Sequence, residues 1–585
     1  MKPHPEPNRR LPGLLLATIS AALISSPGTA LCKEAPTAES NTGSQQLEKK
    51  IPLFEGMGPH TRKITTASAE TQRYFDQALN WTFAFNHDEA IRSFEQAAKL
   101  DPDCAMAWWG KAFCHGPHIN NPAMDEAGSI AAWSALQKAI ELSGACTPAE
   151  RALIEALAPR YVDPAAGKLP LTADERRPFD EAFARAMGKV HSAYPDDADI
   201  TSLYAESLMD LHPWDLYDNQ TNEPHPWTEK IVSLIEHALR LDRKHPGANH
   251  LYIHAVEGSS TPGRANAAAD VLRTLVPASG HLVHMPSHID VRVGRWAQAA
   301  EQNRQASKID VAYRKISPDH GIYHLYMAHD DHFLAWSCMM LGRREEALTA
   351  ARDMIRKIPA DFSQAAAPFV DPLASIEISV LMRFGRWDEL LALPRPDSHL
   401  PVTTAMWHFA RGSALAALDR VDEALAEQSE FRKAVAALPE GTMLQQSTAA
   451  DGLAVADGIL DGEIAFRRGN IDAAVAALRK AVAKEDRLRY IEPPDWLQPA
   501  RHSLGAILVA ADRLPEAEDV YRADLERWPE NGWALYGLAE CVKARKSPEA
   551  DEIQARFEKA WQHADTQLAA TCLCVKTAET RDMGD

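Results

Sequence analysis

Residues 245–296 read HPGANHLYIHAVEGSSTPGRANAAADVLRTLVPASGHLVHMPSHIDVRVGRW. Small and helix-stopping residues recur in this stretch at a fixed interval. With Pro246 as position 1 of a 34-residue unit, Ala265 falls at position 20 and Pro277 at 32. With Gly280 as position 1, Gly294 falls at 15, Ala299 at 20 and Ala306 at 27. With Ala328 as position 1, Gly342 falls at 15, Ala347 at 20 and Pro359 at 32. Small side chains let two antiparallel helices approach each other, and the proline ends the second helix.

The same spacing appears earlier and later in the chain. In AFNHDEAIRSFEQAAKLDP, residues 84–102, Ala90, Phe94, Ala97 and Pro102 occupy positions 20, 24, 27 and 32 of a unit that begins at Thr71. This pattern resembles the tetratricopeptide repeat (TPR), a pair of antiparallel helices. Further copies follow near 385, 421, 469 and 514, and NGWALYGLAECVKA opens a last one. Between about 120 and 244 the repeat is degenerate, and 311–327 reads as an insertion of half a repeat. The expected fold is all-α, a TPR-like solenoid of helical hairpins in a right-handed superhelix, with roughly eight to eleven helix pairs and no separate domain.

The histidines fall into this register without having been used to set it. In TPR proteins positions 2, 5, 9 and 12 of the first helix face the concave groove, and steps of three and four residues do share a helix face. His250, His254 and Glu257 occupy 5, 9 and 12; His281, His284 and His288 occupy 2, 5 and 9; His329 and His332 occupy 2 and 5. Packed helices lie about 8–10 Å apart, so imidazoles on facing helices can share an ion at about 2.0–2.1 Å per nitrogen. The seven histidines are therefore expected to hold a transition metal, Cu, Zn or Fe, as one ion or two. Glu257 is expected to serve as a catalytic base or as a further ligand. Pro286, at position 6 of its helix, predicts a kink.

Other residues have weaker claims. His320 and His324 are further histidines in the insertion, and Met285 offers a thioether beside the cluster. Trp109 and Phe113 fall at groove positions, while His115 and His118 flank a Gly-Pro turn. His212 and Asp215 lie where the repeat breaks. Glu492, Trp496 and Arg501 lie on a proline-rich loop that superhelix closure would bring over the groove. The eight cysteines form no zinc-type CxxC pair; Cys572 and Cys574 make a CxC, read as buried thiols, a disulfide or a weak metal site. HExxH, GxSxG, CxxCH and a Walker loop are absent.

A net charge of −19 without a basic face disfavours nucleic acid. Arg9 and Arg10, the apolar run Leu14–Ile24 and the small residues Gly28–Ala30 read as a cleavable export signal over residues 1–30, which implies a periplasmic or secreted protein; Leu31 before Cys32 argues against a lipoprotein. The remaining expected divisions are a disordered linker over 31–68, irregular TPR-like helices over 69–244, His-rich repeats over 245–360, C-terminal repeats over 361–565 and a flexible tail over 566–585. No later segment is long enough to span a membrane.

As a set, FNHDEAIRSFE, NHLYIHAVE, GHLVHMPSHI with RVGRW, the H-x-x-HFL segment and the EPPDW…LGA…NGWALYGL tail resemble a family of exported bacterial TPR proteins, over about residues 70–540. The resemblance implies the fold and the seven histidines but no substrate. Two readings follow. One is a metalloprotein, either an enzyme of hydrolytic or oxidative chemistry or a metal store. The other is a scaffold whose groove holds a protein or peptide.

Overall fold

A helical hairpin needs a reversal after its first helix, and one reversal recurs along this chain. Phe85, Gly294, Gly342, Gly385, Asp419, Gly469, Asp512 and Lys546 all lie in the left-handed region, with φ of 54–81°. After each of them the next residue donates its N–H to the carbonyl five residues back, as Arg295 does to Asp290 (2.7 Å) and Asn86 to Trp81 (3.1 Å). This pairing satisfies carbonyls that the helix end would otherwise leave open. Three of the turns fall on Phe85, Gly294 and Gly342, position 15 of the Thr71, Gly280 and Ala328 units.

The computed structural model describes residues 51–167, 169–317 and 320–575, so the expected export signal lies outside the described residues. The fold is all-α: no strand occurs among the described residues. In place of one undivided solenoid there are two compact units, Met1–Pro213 and Trp214–Asp585.

The first unit contains α1 (Ala69–Phe83), α2 (His87–Leu100), α3 (Ala105–Cys114), α4 (Glu126–Leu142), α5 (Pro148–Leu157), α6 (Ala173–Ala193) and α7 (Ala198–Met209). Gly110 of α3 lies against Phe94 of α2, where any Cβ would come within 2.3 Å of the ring. Residues 51–68 are not the expected linker. Thr65 donates its N–H and its hydroxyl to Glu150, both at 2.6 Å, and Arg62 pairs with Asp197 and Asp199. A polar composition here reflects charge pairing, not lack of structure.

The second unit opens with α8 (Thr228–Leu241), α9 (Pro246–Val256), α10 (Asn266–Leu275), α11 (Gly280–His284), α12 (Pro286–Arg292), α13 (Trp296–Ile316) and α14 (Tyr323–Met340). It continues through α15 (Arg344–Lys357), α16 (Ala360–Ala365), α17 (Ala367–Ala374), α18 (Ile376–Arg383), α19 (Trp387–Ala392) and α20 (Pro401–Ala417). It ends with α21 (Val421–Ala436), α22 (Ala449–Arg467), α23 (Ile471–Glu485), α24 (Ala500–Ala510), α25 (Leu514–Arg527), α26 (Gly532–Ala544) and α27 (Ala550–Trp561). The 311–327 insertion lengthens α13 and α14.

Three tryptophans tie distant repeats of this unit together. Trp296 Nε1 donates to Pro529 O (2.8 Å), Trp336 Nε1 to Leu497 O (3.2 Å) and Trp533 Nε1 to Met339 O (2.8 Å). The rings of Trp296, Trp336 and Trp528 pack edge to face, with centroids 5.1 and 5.2 Å apart. Such contacts combine apolar area with one satisfied polar atom. They set the C-terminal repeats against the His-rich ones. The expected flexible tail is also engaged as far as Val575: Thr571 donates to His502 O at 2.8 Å, and Cys572 is disulfide-bonded to Cys574.

Gly469 isolates the cost of the hairpin turn, because a Cβ there would meet nothing within 4 Å although φ is +75°. Gly469→Ala is expected to lower stability by about 1 kcal/mol through backbone strain alone, read as a lower urea midpoint with unchanged helicity.

Candidate metal centre

Four helices of the second unit, α9, α11, α12 and α14, carry the histidines. Pro246 starts α9, whose first turn is capped by His245 Nδ1 accepting from Ala248 N–H at 3.0 Å. The helical period then puts His250, His254 and Glu257 on one face. Ser279 caps α11 by accepting from Leu282 N–H. Gly280 is required there, since a Cβ would lie 2.2 Å from Asp310 Oδ1. The break that Pro286 predicts separates α11 from α12 at Met285, a fully buried residue with helical φ and ψ of −50° and −38°. The break still leaves His284 and His288 facing each other.

Two sets of three imidazoles result: His250, His254 and His281, and His284, His288 and His329, each with one ligand atom per residue within 4.8 Å of the others. His281 Nε2 lies 3.2 Å from His250 Nε2, and His284 Nε2 lies 2.9 Å from His288 Nε2. The sets adjoin: the His281 and His284 rings are 5.9 Å apart, and those of His254 and His288 are 6.1 Å apart. All six rings are buried except His329, which is half-buried.

The opposite edges of three rings are held by oxygens. His254 Nδ1 lies 2.9 Å from Glu257 Oε1. His284 Nδ1 lies 2.6 Å from Asn303 Oδ1, with Asp330 Oδ1 behind it at 3.4 Å. His288 Nδ1 lies between Glu257 Oε2 (2.8 Å) and Glu492 Oε2 (3.3 Å), off the axis of an aligned hydrogen bond. Against these oxygens Nδ1 of His254 and His284 is the donor, which in a neutral ring leaves the lone pair on Nε2. Glu257, His288 and Glu492 are themselves close enough to form a third donor set. One oxygen of each carboxylate is engaged, Glu257 Oε1 on His254 and Glu492 Oε1 accepting from Tyr490 OH at 2.5 Å, while the Oε2 atoms face His288. Glu257 thus stands against two rings of different helices, His254 and His288.

Burial, aided by the neighbouring imidazoles, holds His281, His284 and His329 well below the ordinary histidine pKa. Burial opposes a charge on His288 too, but Glu257 and Glu492 outweigh it and raise its pKa. Burial likewise disfavours ionised Glu257, and His288 and His254 reverse that.

His332 does not join either set. Three residues beyond His329 on α14 it is turned by about 60° and shifted about 4.5 Å along the axis, and it lines a neighbouring cavity. His320 packs on Tyr313, and His324 lies beside Arg314 and Phe362, so neither belongs to a set. Asp215 faces His225 at 3.5 Å, while His212 belongs to the first unit. In that unit Trp109 stacks on Phe113, His87 bonds Cys114 O at 3.0 Å, and His118 lies against the His87 and Phe85 rings. Arg501 is held by Asp486 through two contacts of 2.7 Å.

Sequence reasoning missed Asn303 and Asp330. Asn303 did leave a signal: it stands at position 24 of the Gly280 unit, where the Thr71 unit has Phe94. A fully buried amide in place of an aromatic ring marks a polar partner nearby.

Residues 86–115, which are α2, α3 and the turns around them, match the tetratricopeptide repeat family model. The chain contains a tetratricopeptide repeat. No curated protein matches it. Among solved structures, the human IFIT1 dimer with m7Gppp-AAAA is similar at 12% identity and a TM-score of 0.31, over 86% of this chain and 91% of that one. Yeast Tom70 is similar at 10% identity and a TM-score of 0.27, over 84% and 93%. At these values neither likeness informs the site.

Asn303→Leu keeps the volume but removes the acceptor from a fully buried imidazole. The variant is expected to lose about 1–3 kcal/mol of stability, measured as a shift of the thermal or urea midpoint.

Proposed function

We propose that this protein is a metalloenzyme whose two three-histidine sets each hold one transition-metal ion. The observation that carries the reading is the direction of the rings. With Nδ1 of His284 tied to Asn303 and Nδ1 of His288 against Glu257, the two Nε2 atoms point at each other across 2.9 Å, and in neutral rings both would present lone pairs. Facing lone pairs repel unless a cation lies between them. Two nitrogens bound to one ion at about 2.0–2.1 Å stand roughly 2.9–3.4 Å apart for angles of about 90–110°, and both Nε2 pairs fall in that range. The carboxylate and amide behind the rings are the partners that orient metal-binding imidazoles and raise their basicity.

Three nitrogen donors leave a coordination position for water or substrate, which suits catalysis better than storage. Imidazole donors favour Cu, Zn or Fe. When bound, the ions supply Lewis-acid or redox chemistry, and the chain itself supplies ring orientation and a buried setting. The scaffold reading accounts less well for this burial, because fully buried rings offer nothing to an extended peptide. The N-terminal basic, apolar and small-residue pattern supports an exported address.

The alternative cation is a single proton on His288, and metal analysis separates the two. Protein from its native compartment, or reconstituted with Cu, Zn, Fe and Mn in turn, is expected to hold about two ions per chain. The double variant His254→Ala/His288→Ala is expected to lose both. Glu257→Gln is expected to weaken binding about 10–100-fold, read by chelator competition. A wild-type protein that stays metal-free through every reconstitution would overturn the proposal.

A further inference from the structure

A cavity opens in the second unit beside the histidine layer. Two structural elements connect it to that layer. Helix α14 places His329 in the second imidazole set and His332 in the cavity wall. The loop between α23 and α24 places Glu492 against His288 and, a few residues on, Asp495 and Trp496 in the wall. Most of the remaining lining is apolar, with Met382, Met406, Phe409 and Leu453 prominent.

The polar atoms of the wall define what fits. No lysine or arginine lines the cavity, so an anion would enter without a counter-charge. Asp495 is already engaged, accepting from the N–H groups of Gln445 and Ser447 at 2.9 and 2.8 Å. Three buried atoms remain without a partner: His332 Nδ1, Glu463 Oε2 and Trp496 Nε1. A buried polar atom left unmet is costly, and these three share one cavity. The indole N–H can only donate, whereas a carboxylate oxygen or a bare imidazole nitrogen can accept. A hydroxyl group answers both kinds of atom, and an ammonium or a carboxylate answers only one.

We propose that this cavity is a binding chamber for an uncharged, largely apolar alcohol or phenol whose hydroxyl is met by Trp496, Glu463 and His332. Its use as the substrate chamber of the metal centre rests on the function proposed above; its capacity to bind does not.

The test uses the purified full-length protein, with metal content measured on the same sample. The probe is 1-naphthol, titrated by fluorescence or calorimetry against 1-naphthoate and naphthalene. One molecule of 1-naphthol is expected to bind per chain, with naphthalene and 1-naphthoate each at least about tenfold weaker. Met406→Trp fills the cavity and should abolish binding; Ser379→Phe does the same from another wall should the first variant fail to fold. Glu463→Leu should weaken 1-naphthol about tenfold, and Glu463→Gln should restore most of the loss. Equal binding of 1-naphthoate, or 1-naphthol binding unchanged in a folded Met406→Trp protein, would overturn the proposal. A sample that stays metal-free through every reconstitution and still binds 1-naphthol in this pattern keeps the chamber and removes the metal reading. A metal-loaded sample that binds none does the reverse.

Discussion

One carboxylate serves two helices. Glu257, at the end of α9, holds Nδ1 of His254 on its own helix and meets Nδ1 of His288 on α12. An imidazole gripped at Nδ1 has a single nitrogen left to present, and it must present it to the far side. The arrangement of the other rings follows from that constraint. Asn303 acts on His284 as Glu257 acts on His254, so rings from separate repeats turn their lone pairs into one interior. Buried ring nitrogens need partners, and in the function proposed above an ion supplies them.

The second constraint is closure. A TPR-like solenoid ordinarily leaves its concave face open to a partner. Here indole donors on α13, α14 and α26 reach carbonyls in repeats far along the sequence, and the loop after α23 places Glu492 beside His288. The concave face of the His-rich repeats thereby becomes an interior. The same loop supplies part of the adjacent cavity, so the sealing of the imidazoles and the shaping of a chamber for a small molecule have one structural cause.

The repeat was legible in the sequence because it is a matter of spacing. Small residues at 15, 20 and 27 and proline at 32 located the hairpins, and helical periodicity alone brought His250, His254, His281, His284, His288 and His329 together. Legibility failed where the outcome depended on a partner distant in sequence. His332 carried the right repeat position, yet it faces a cavity built by residues some 40 to 170 positions later. Glu257 reads as a base or a ligand, and spacing gives no sign that its second oxygen faces His288. Residues 51–68 had the composition of a linker because charged side chains that pair and charged side chains in water read alike in one dimension. The division at 213 and 214 falls where the repeat breaks around His212 and Asp215, a mark that spacing alone does not tell from an inserted loop.

The indole clamps carry a consequence for the order of assembly. Ribosomes deliver the N-terminus first, so every histidine of the cluster is synthesised before Glu492, Pro529 and Trp533 exist. The lid over the imidazoles therefore waits for roughly the last hundred residues. Until then the nascent cluster stands open, and afterwards its rings are walled in. Loss of a terminal repeat, which an extended array would tolerate, here unroofs a layer more than two hundred positions upstream.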